Sequence, residues 1–182
     1  MTQLSSNLAA IKNDDSIKKV DFVKEVIGYI NDAGYTIVEI NDQKPWGAYI
    51  RMSSDEAKRF IQEFFPGLTP EEARLGIDDA ELSPKFLIVA PNQRLSWQYH
   101  NRRAERWAFL TPGGYKKSET DEEGDTKQAR PGDVVQFLRG ERHRLVGVGG
   151  QYVVVAEIWQ HAEIDAPSDE DDIVRLADDY KR

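Results

Sequence analysis

Cysteine is absent from this chain of 182 residues, so disulfides, thiolate nucleophiles, zinc fingers and iron–sulfur clusters are excluded. Long apolar runs are missing too: none approaches the roughly 20 residues that a membrane-spanning helix needs. The polar, mixed-charge start of the chain is the wrong pattern for a secretory signal. Internal repeats and low-complexity tracts do not occur. Acidic residues outnumber basic ones, 32 to 24, for a net charge of −8, which argues against nucleic acid as a partner. Together these absences predict a cytoplasmic protein with neither a membrane nor a nucleic-acid partner.

What remains suffices for a core. Apolar residues make up 40% of the chain and aromatics 10%, and the length predicts one compact domain. The charge is unevenly spread. Residues 1–83 hold 9 basic and 15 acidic groups, whereas residues 84–115 carry Lys85, Arg94, Arg102, Arg103 and Arg106 against Glu105 alone. A basic island in an acidic protein suits an anionic small-molecule substrate. The alternative is a set of arginines that merely solubilises exposed strand faces.

The first third of the chain has a helical pattern. Phe22, Val23, Val26, Ile27 and Ile30 recur at three- and four-residue spacing, and Asn31-Asp32-Ala33-Gly34 supplies a stop. A second helix is predicted over 55–64, capped by Ser53 or Ser54, with Ala57, Phe60, Ile61 and Phe64 on its apolar face. Thr69-Pro70-Glu71-Glu72 reads as a further helix start. Strands are expected over 35–40 and 46–52. From Lys85 onward short β-type runs follow at 85–90, 94–100, 105–110, 126–130, 133–138, 142–147, 151–160 and 172–176, with a polar hairpin tip over 118–125. So many short strands predict a mainly β protein, a sandwich or barrel. Residues 1–43 then form a helical extension packed on a barrel of residues 44–182 with a helical insertion near 53–76, and the acidic segment 165–182 packs back on the domain.

The chemistry concentrates in Arg94-Leu95-Ser96-Trp97-Gln98-Tyr99-His100. Strand alternation places Arg94, Ser96, Gln98 and His100 on one face and Leu95, Trp97 and Tyr99 on the other. Taken alone, an all-polar face reads as solvent-facing. Glu105 and His143 change the reading, because Gln98-x-His100-x4-Glu105 with a later histidine offers a mixed nitrogen and oxygen donor set. Such a set suits one divalent ion, with zinc, manganese, iron and cobalt all compatible; the alternative is a self-satisfied polar cluster without metal. Of the three histidines, His161 falls outside the pattern and reads as a surface residue or a partner to a ligand. Trp46, Trp97, Trp107 and Trp159 read as core or rim.

The spacing Gln98-x-His100-x4-Glu105 and the later Gly140-Glu141-Arg142-His143 resemble the two motifs of the cupin superfamily. A longer match is to the isomerase domain of type II phosphomannose isomerases. It runs through Lys44-Pro45-Trp46-Gly47-Ala48-Tyr49, the 94–100 stretch, Arg103-Ala104-Glu105-Arg106-Trp107, Gly140 to Leu145 and Glu170-Asp171-Asp172-Ile173-Val174-Arg175, in the family's order. Several features depart from that pattern. The family's histidine run is His100-Asn101-Arg102 here, Leu138 replaces a proline, and residues 1–43 are too few for the nucleotidyltransferase domain that often precedes this isomerase domain.

The resemblance implies a cupin-type double-stranded β-helix, a jelly-roll barrel, and an aldose–ketose isomerase of a sugar phosphate, mannose 6-phosphate to fructose 6-phosphate foremost. It implies Gln98, His100, Glu105 and His143 as metal ligands and places Lys85 and Ser96 at the active site. Lys85 would move a proton or bind substrate. Glu157 would be a base or a partner to a ligand, and Arg175, Arg94 and Arg102 would take the phosphate, because a guanidinium binds two phosphate oxygens at once. Arg144 follows His143 directly and so points to the opposite strand face. The resemblance alone suggests a homodimer. The rival readings are a free-sugar isomerase like the cupin lyxose isomerases, a sugar-binding cupin without turnover, and an oxygen-using cupin.

Overall fold

A computed structural model describes residues 2–180; Met1, Lys181 and Arg182, at the ends of the two predicted segments, lie outside the described residues. The chain begins with helix α1 (Gln3–Ala9) and helix α2 (Lys19–Asp32). The spacing of its apolar residues puts Phe22, Val23, Val26 and Ile30 on one buried face of α2, which ends where Gly34 takes a φ of +75°. Strands β1 (Ile37–Asn41) and β2 (Gly47–Met52) follow. Helix α3 (Ala57–Phe64) buries Ala57, Phe60, Ile61 and Phe64, and the Ser53 side chain caps the single 3-10 turn before it. Helix α4 (Pro70–Ala73) starts at a capping box in which Thr69 and Glu72 bond each other's backbone N–H.

Nine further strands build the rest: β3 (Lys85–Val89), β4 (Trp97–Tyr99), β5 (Arg103–Phe109), β6 (Gly113–Ser118), β7 (Lys127–Ala129), β8 (Val134–Phe137), β9 (Arg142–Val146), β10 (Val153–His161) and β11 (Val174–Ala177). All pairings are antiparallel, in a six-stranded sheet of order β1-β2-β3-β10-β5-β8 and a five-stranded sheet of order β11-β4-β9-β6-β7. Two facing antiparallel sheets with these crossovers form the cupin-type jelly roll. Among the described residues no helix is long and apolar enough to cross a membrane.

The six-stranded sheet is covered on both sides. Its outer face carries Ile50, Phe86, Ile88, Ala108, Val154, Ala156 and Ile158 against the helices, where Phe60 packs edge-on to Phe86 with ring centroids 5.2 Å apart. Its inner face carries Leu87, Val89, Trp107, Phe109, Val153 and Val155 against Phe137, Leu145 and Ala129. Strand period alone therefore fixes the placement of several charged groups. Lys85 shares the parity of Leu87 and Val89, Glu157 that of Val153 and Val155, and Glu105 that of Trp107 and Phe109. All three point inward.

Three elements differ from expectation. Strand β6 was not predicted, because it opens on Gly113-Gly114, a pair that reads as a turn. Close packing requires those glycines: a Cβ at Gly113 would lie 2.4 Å from Val153 Cγ1. Strand β4 is shorter than the 94–100 predicted, with Arg94 joined to Val146 only through an isolated bridge. The helical extension expected over residues 1–43 has a first helix, α1, that was not delimited in the sequence, and it buries Leu4 and Leu8. Phe60→Ala should lower unfolding free energy by about 3–5 kcal/mol, a buried phenyl ring being lost from a packed aromatic cluster; urea denaturation followed by circular dichroism measures it.

Candidate active site

The inner faces of both sheets converge on a cavity of about 200 Å³. Strand β5 supplies Arg103 and Glu105, β10 supplies Glu157 and β3 supplies Lys85. Gln98 on β4 lies across from His143 on β9 and from Arg175 on β11, so three adjacent strands of the smaller sheet bring these side chains together. His100 lies one residue beyond β4. Its carbonyl accepts the Gly140 N–H at 2.9 Å, which ties the two sequence motifs to each other.

Within this arrangement His100, Glu105 and His143 are buried with their ligand atoms all within 4.8 Å of one another. His143 Nδ1 donates to the Glu141 carbonyl at 2.9 Å and His100 Nδ1 donates to the Asp172 carbonyl. Each ring thus spends its Nδ1–H on the backbone and presents Nε2 to Glu105, at 3.0 Å for His100 and 3.3 Å for His143. Arg103 Nε donates to Glu105 Oε1 at 2.9 Å. Glu105 Oε2 and His143 Nε2 remain buried without a hydrogen-bond partner. Two orphaned acceptors facing each other in a dry site call for a cation between them. This donor set can hold a divalent metal ion, and Gln98, whose Oε1 accepts the Ser96 hydroxyl at 2.6 Å, lines the same cavity.

Electrostatics divide the carboxylates. Burial opposes charge on Glu105, yet His100 and Arg103 beside it hold its carboxyl well below the usual range. Burial, reinforced by the charge of Glu105, pushes Glu157 up to about 8, against the pull of Lys85, Arg103 and the Trp107 indole N–H that it accepts at 2.9 Å. Burial also lowers the pKa of His100, keeping the ring neutral. One ionised and one protonated carboxyl therefore share the cavity at neutral pH.

Of the residues singled out in the sequence, Ser96, Gln98, Glu105, Lys85, Glu157 and Arg175 line the cavity. Lys85 Nζ donates to Glu170 at 2.7 and 2.9 Å. Arg94 and Arg102 are not among its lining residues. Arg94 forks onto Asp179 at 2.7 and 3.1 Å, and Arg102 binds the Pro167 carbonyl and Asp169, both at 2.7 Å. The alternation expected over 94–100 does not reach Arg94, because the strand begins only at Trp97. The polar face holding Ser96, Gln98 and His100 is buried rather than solvent-facing. His161 is buried, not on the surface: its Nε2 donates to the Glu81 carbonyl and its Nδ1 accepts the Ser168 N–H. Arg144 points to the opposite face, as its parity required, and donates to Glu123 at 2.7 Å. Three residues escaped the sequence reading of the site: Arg103, Glu170 and Lys44 at the mouth. Arg103 was missed because the predicted strand started at residue 105, whereas β5 starts at Arg103; Lys44 and Glu170 each open a stretch that carries the family resemblance but were given no role there.

No protein-family model matches the chain. The xanthan biosynthesis proteins XanB of two Xanthomonas campestris pv. campestris strains are each 26% identical to it over 192 residues, covering 97% of this chain and 32% of theirs. The chain thus spans about a third of the length of these curated relatives. Among solved structures, the capsular polysaccharide assembling protein CapF from Staphylococcus aureus aligns with a TM-score of 0.50 at 14% identity over 88% of this chain and 40% of its own. A Cupin 2 conserved barrel domain protein from Salinispora arenicola aligns at 0.46 with 17% identity, over 70% and 86% respectively. At these identities the structural likeness concerns the fold alone.

The Glu157 shift carries a testable sign. Its folded pKa lies above its unfolded value, so its contribution to stability is fully present below pH 4.5 and is lost as pH rises to about 8. In metal-free protein, the stability difference between wild type and Glu157→Gln should change by up to about 1.4 kcal/mol per pH unit across that window and level off above it. Chemical denaturation of both proteins at a series of pH values measures this.

Proposed function

We propose that the chain is a metal-dependent aldose–ketose isomerase acting on a sugar phosphate, with mannose 6-phosphate and fructose 6-phosphate as the foremost pair. The observation that carries this reading is a cavity lined by Lys85, Glu157, Lys44 and Arg175 that reaches Glu105, through which it adjoins the buried His100–Glu105–His143 donor set. Isomerisation moves a proton between C1 and C2 of the sugar through an enediolate. In its ionised form, which a carboxyl with a pKa of about 8 still populates near neutral pH, Glu157 takes that proton from one carbon and then gives it back to the other. Lys85, its register partner across β3 and β10, sits 4.7 Å over the Trp159 ring and donates to a substrate oxygen once Glu170 yields. Gln98, His100, Glu105 and His143 would hold a divalent ion (zinc or manganese foremost, iron or cobalt otherwise), which would supply Lewis-acid stabilisation of developing negative charge on oxygen. Ser96 orients Gln98 through its hydroxyl. Arg175 and Lys44 bind the distal phosphate, which favours a phosphorylated over a free sugar.

The relatives named for xanthan biosynthesis accord with sugar chemistry. Conversion of mannose 6-phosphate to fructose 6-phosphate should vanish in metal-stripped protein, return with zinc, manganese, cobalt or iron, and fall by at least about 100-fold in His143→Ala, since loss of even an outer partner of a metal ligand costs 10–100-fold. Equal turnover of free mannose would move the assignment to a free-sugar isomerase. Ligand-induced stabilisation without product would make the chain a sugar-binding protein.

A further inference from the structure

The carboxy-terminal segment packs on the turn that carries His100 before it joins the smaller sheet as β11. Its contacts are dense and run in one direction, from the segment to the turn that carries His100. Asp172 is the hub. Its side chain is 2% exposed. Oδ1 accepts the Asn101 N–H at 2.9 Å, and Oδ2 accepts the Arg102 N–H at 3.0 Å and the Ser168 hydroxyl at 2.8 Å. The main-chain carbonyl of the same residue receives the Nδ1–H of His100. One residue thus grips the backbone just after His100 with its carboxylate and the imidazole itself with its carbonyl. Around it, Arg103 donates to the Ser168 hydroxyl at 3.0 Å and the Asp169 carbonyl at 2.9 Å. No other contact of the His100 ring holds Nδ1.

We propose that Asp172 is a positioning residue for the metal centre: by pinning the segment to the 100–102 turn it keeps its own carbonyl on His100 Nδ1, so that Nε2 turns its lone pair toward Glu105, with the Arg103 guanidinium 3.5 Å away as its other neighbour. An imidazole has two tautomers of similar energy in water, and only a bond at one nitrogen selects which of them presents a lone pair. Here the selecting acceptor is not on the barrel strands that carry the ligands but on a segment roughly 70 positions later, so the centre is complete only when that segment is docked. The inference rests on His100 being a ligand, and its test separates the two claims.

Cobalt(II) is the probe, titrated into metal-stripped full-length protein and followed by its visible absorption. Asp172→Asn is nearly isosteric, but its amide offers only one acceptor oxygen to the three donors that now face the carboxylate. Cobalt affinity should fall 10–100-fold with an altered band pattern. Asp169→Asn, which disturbs the exposed pair with Arg102 in the same segment, should stay within about twofold of wild type. In metal-free protein labelled with nitrogen-15 in histidine, long-range proton–nitrogen spectra should show wild-type His100 as the single Nδ1–H tautomer and a mixture in Asp172→Asn. His161, bonded as the Nε2–H form, is the internal reference. Should Asp172→Asn not fold, Ser168→Ala removes one of the carboxylate's three partners and leaves its two backbone donors, so cobalt should weaken by about threefold, short of the 10–100-fold that loss of a whole outer partner costs. Wild-type affinity and tautomer in Asp172→Asn, or equal losses in Asp172→Asn and Asp169→Asn, would overturn the proposal. Wild-type protein that takes up no cobalt would overturn the metal site beneath it, whatever the tautomer spectra show.

Discussion

The buried negative charge of Glu105 organises this site. Glu105 is 2% exposed and ionised, a placement that costs several kcal/mol unless cations and donors answer it. Arg103 answers one oxygen directly and two imidazoles face the pair. The neighbouring features follow from that charge. Arg103 is drawn inside and stacks over Trp159 with its guanidinium 4.1 Å from the ring centroid. Glu157, on the adjacent strand, holds its proton up to about pH 8 because burial opposes its charge and the carboxylate of Glu105 beside it adds to that. A cation between Glu105 and His143 resolves what remains.

The scaffold that tolerates this charge is a sheet buried on both faces. Its outer side is a dry aromatic and aliphatic layer against α2 and α3, where Phe22 stacks on Tyr152 with centroids 4.2 Å apart. That layer supplies apolar burial which the polar interior cannot. Each of β3, β5 and β10 therefore serves two environments through alternate residues. The helical extension is part of the site's support, since without it Phe86, Ile88 and Ile158 would face water directly behind Lys85 and Glu157.

Much of this was legible in the sequence. The helices at α2 and α3 announced themselves through three- and four-residue spacing, and most strands through β-type runs between turn residues. The buried His100, Glu105 and His143 group, with Gln98 nearby, was readable because these residues are chemically conspicuous and fall in spaced motifs. Lys85 was harder: all five residues of β3 are buried, so no polar alternation reveals which side is the cavity. Arg94 was misplaced because strand parity was extended through residues that do not form a strand. Arg103 was passed over as one more cation of a basic island, and its inward direction emerges only once β5 is known to start there. His161 was read as a surface residue or a partner to a ligand because nothing in its neighbours shows that Glu81 and Ser168 close over it. Contacts such as Lys85 with Glu170 join positions far apart in the chain, and no local pattern encodes them.

The two-faced strands also restrict how this chain can change over evolutionary time. Losing one residue within β10 would exchange the tenants of its two sides, sending Glu157 among Phe86 and Ile158's partners and an alanine or isoleucine into the polar interior. Losing two would restore the sides and only displace the pairing. Length variation in this barrel should therefore survive in the loops, such as the polar connection between β6 and β7, and leave the shared strands at constant length.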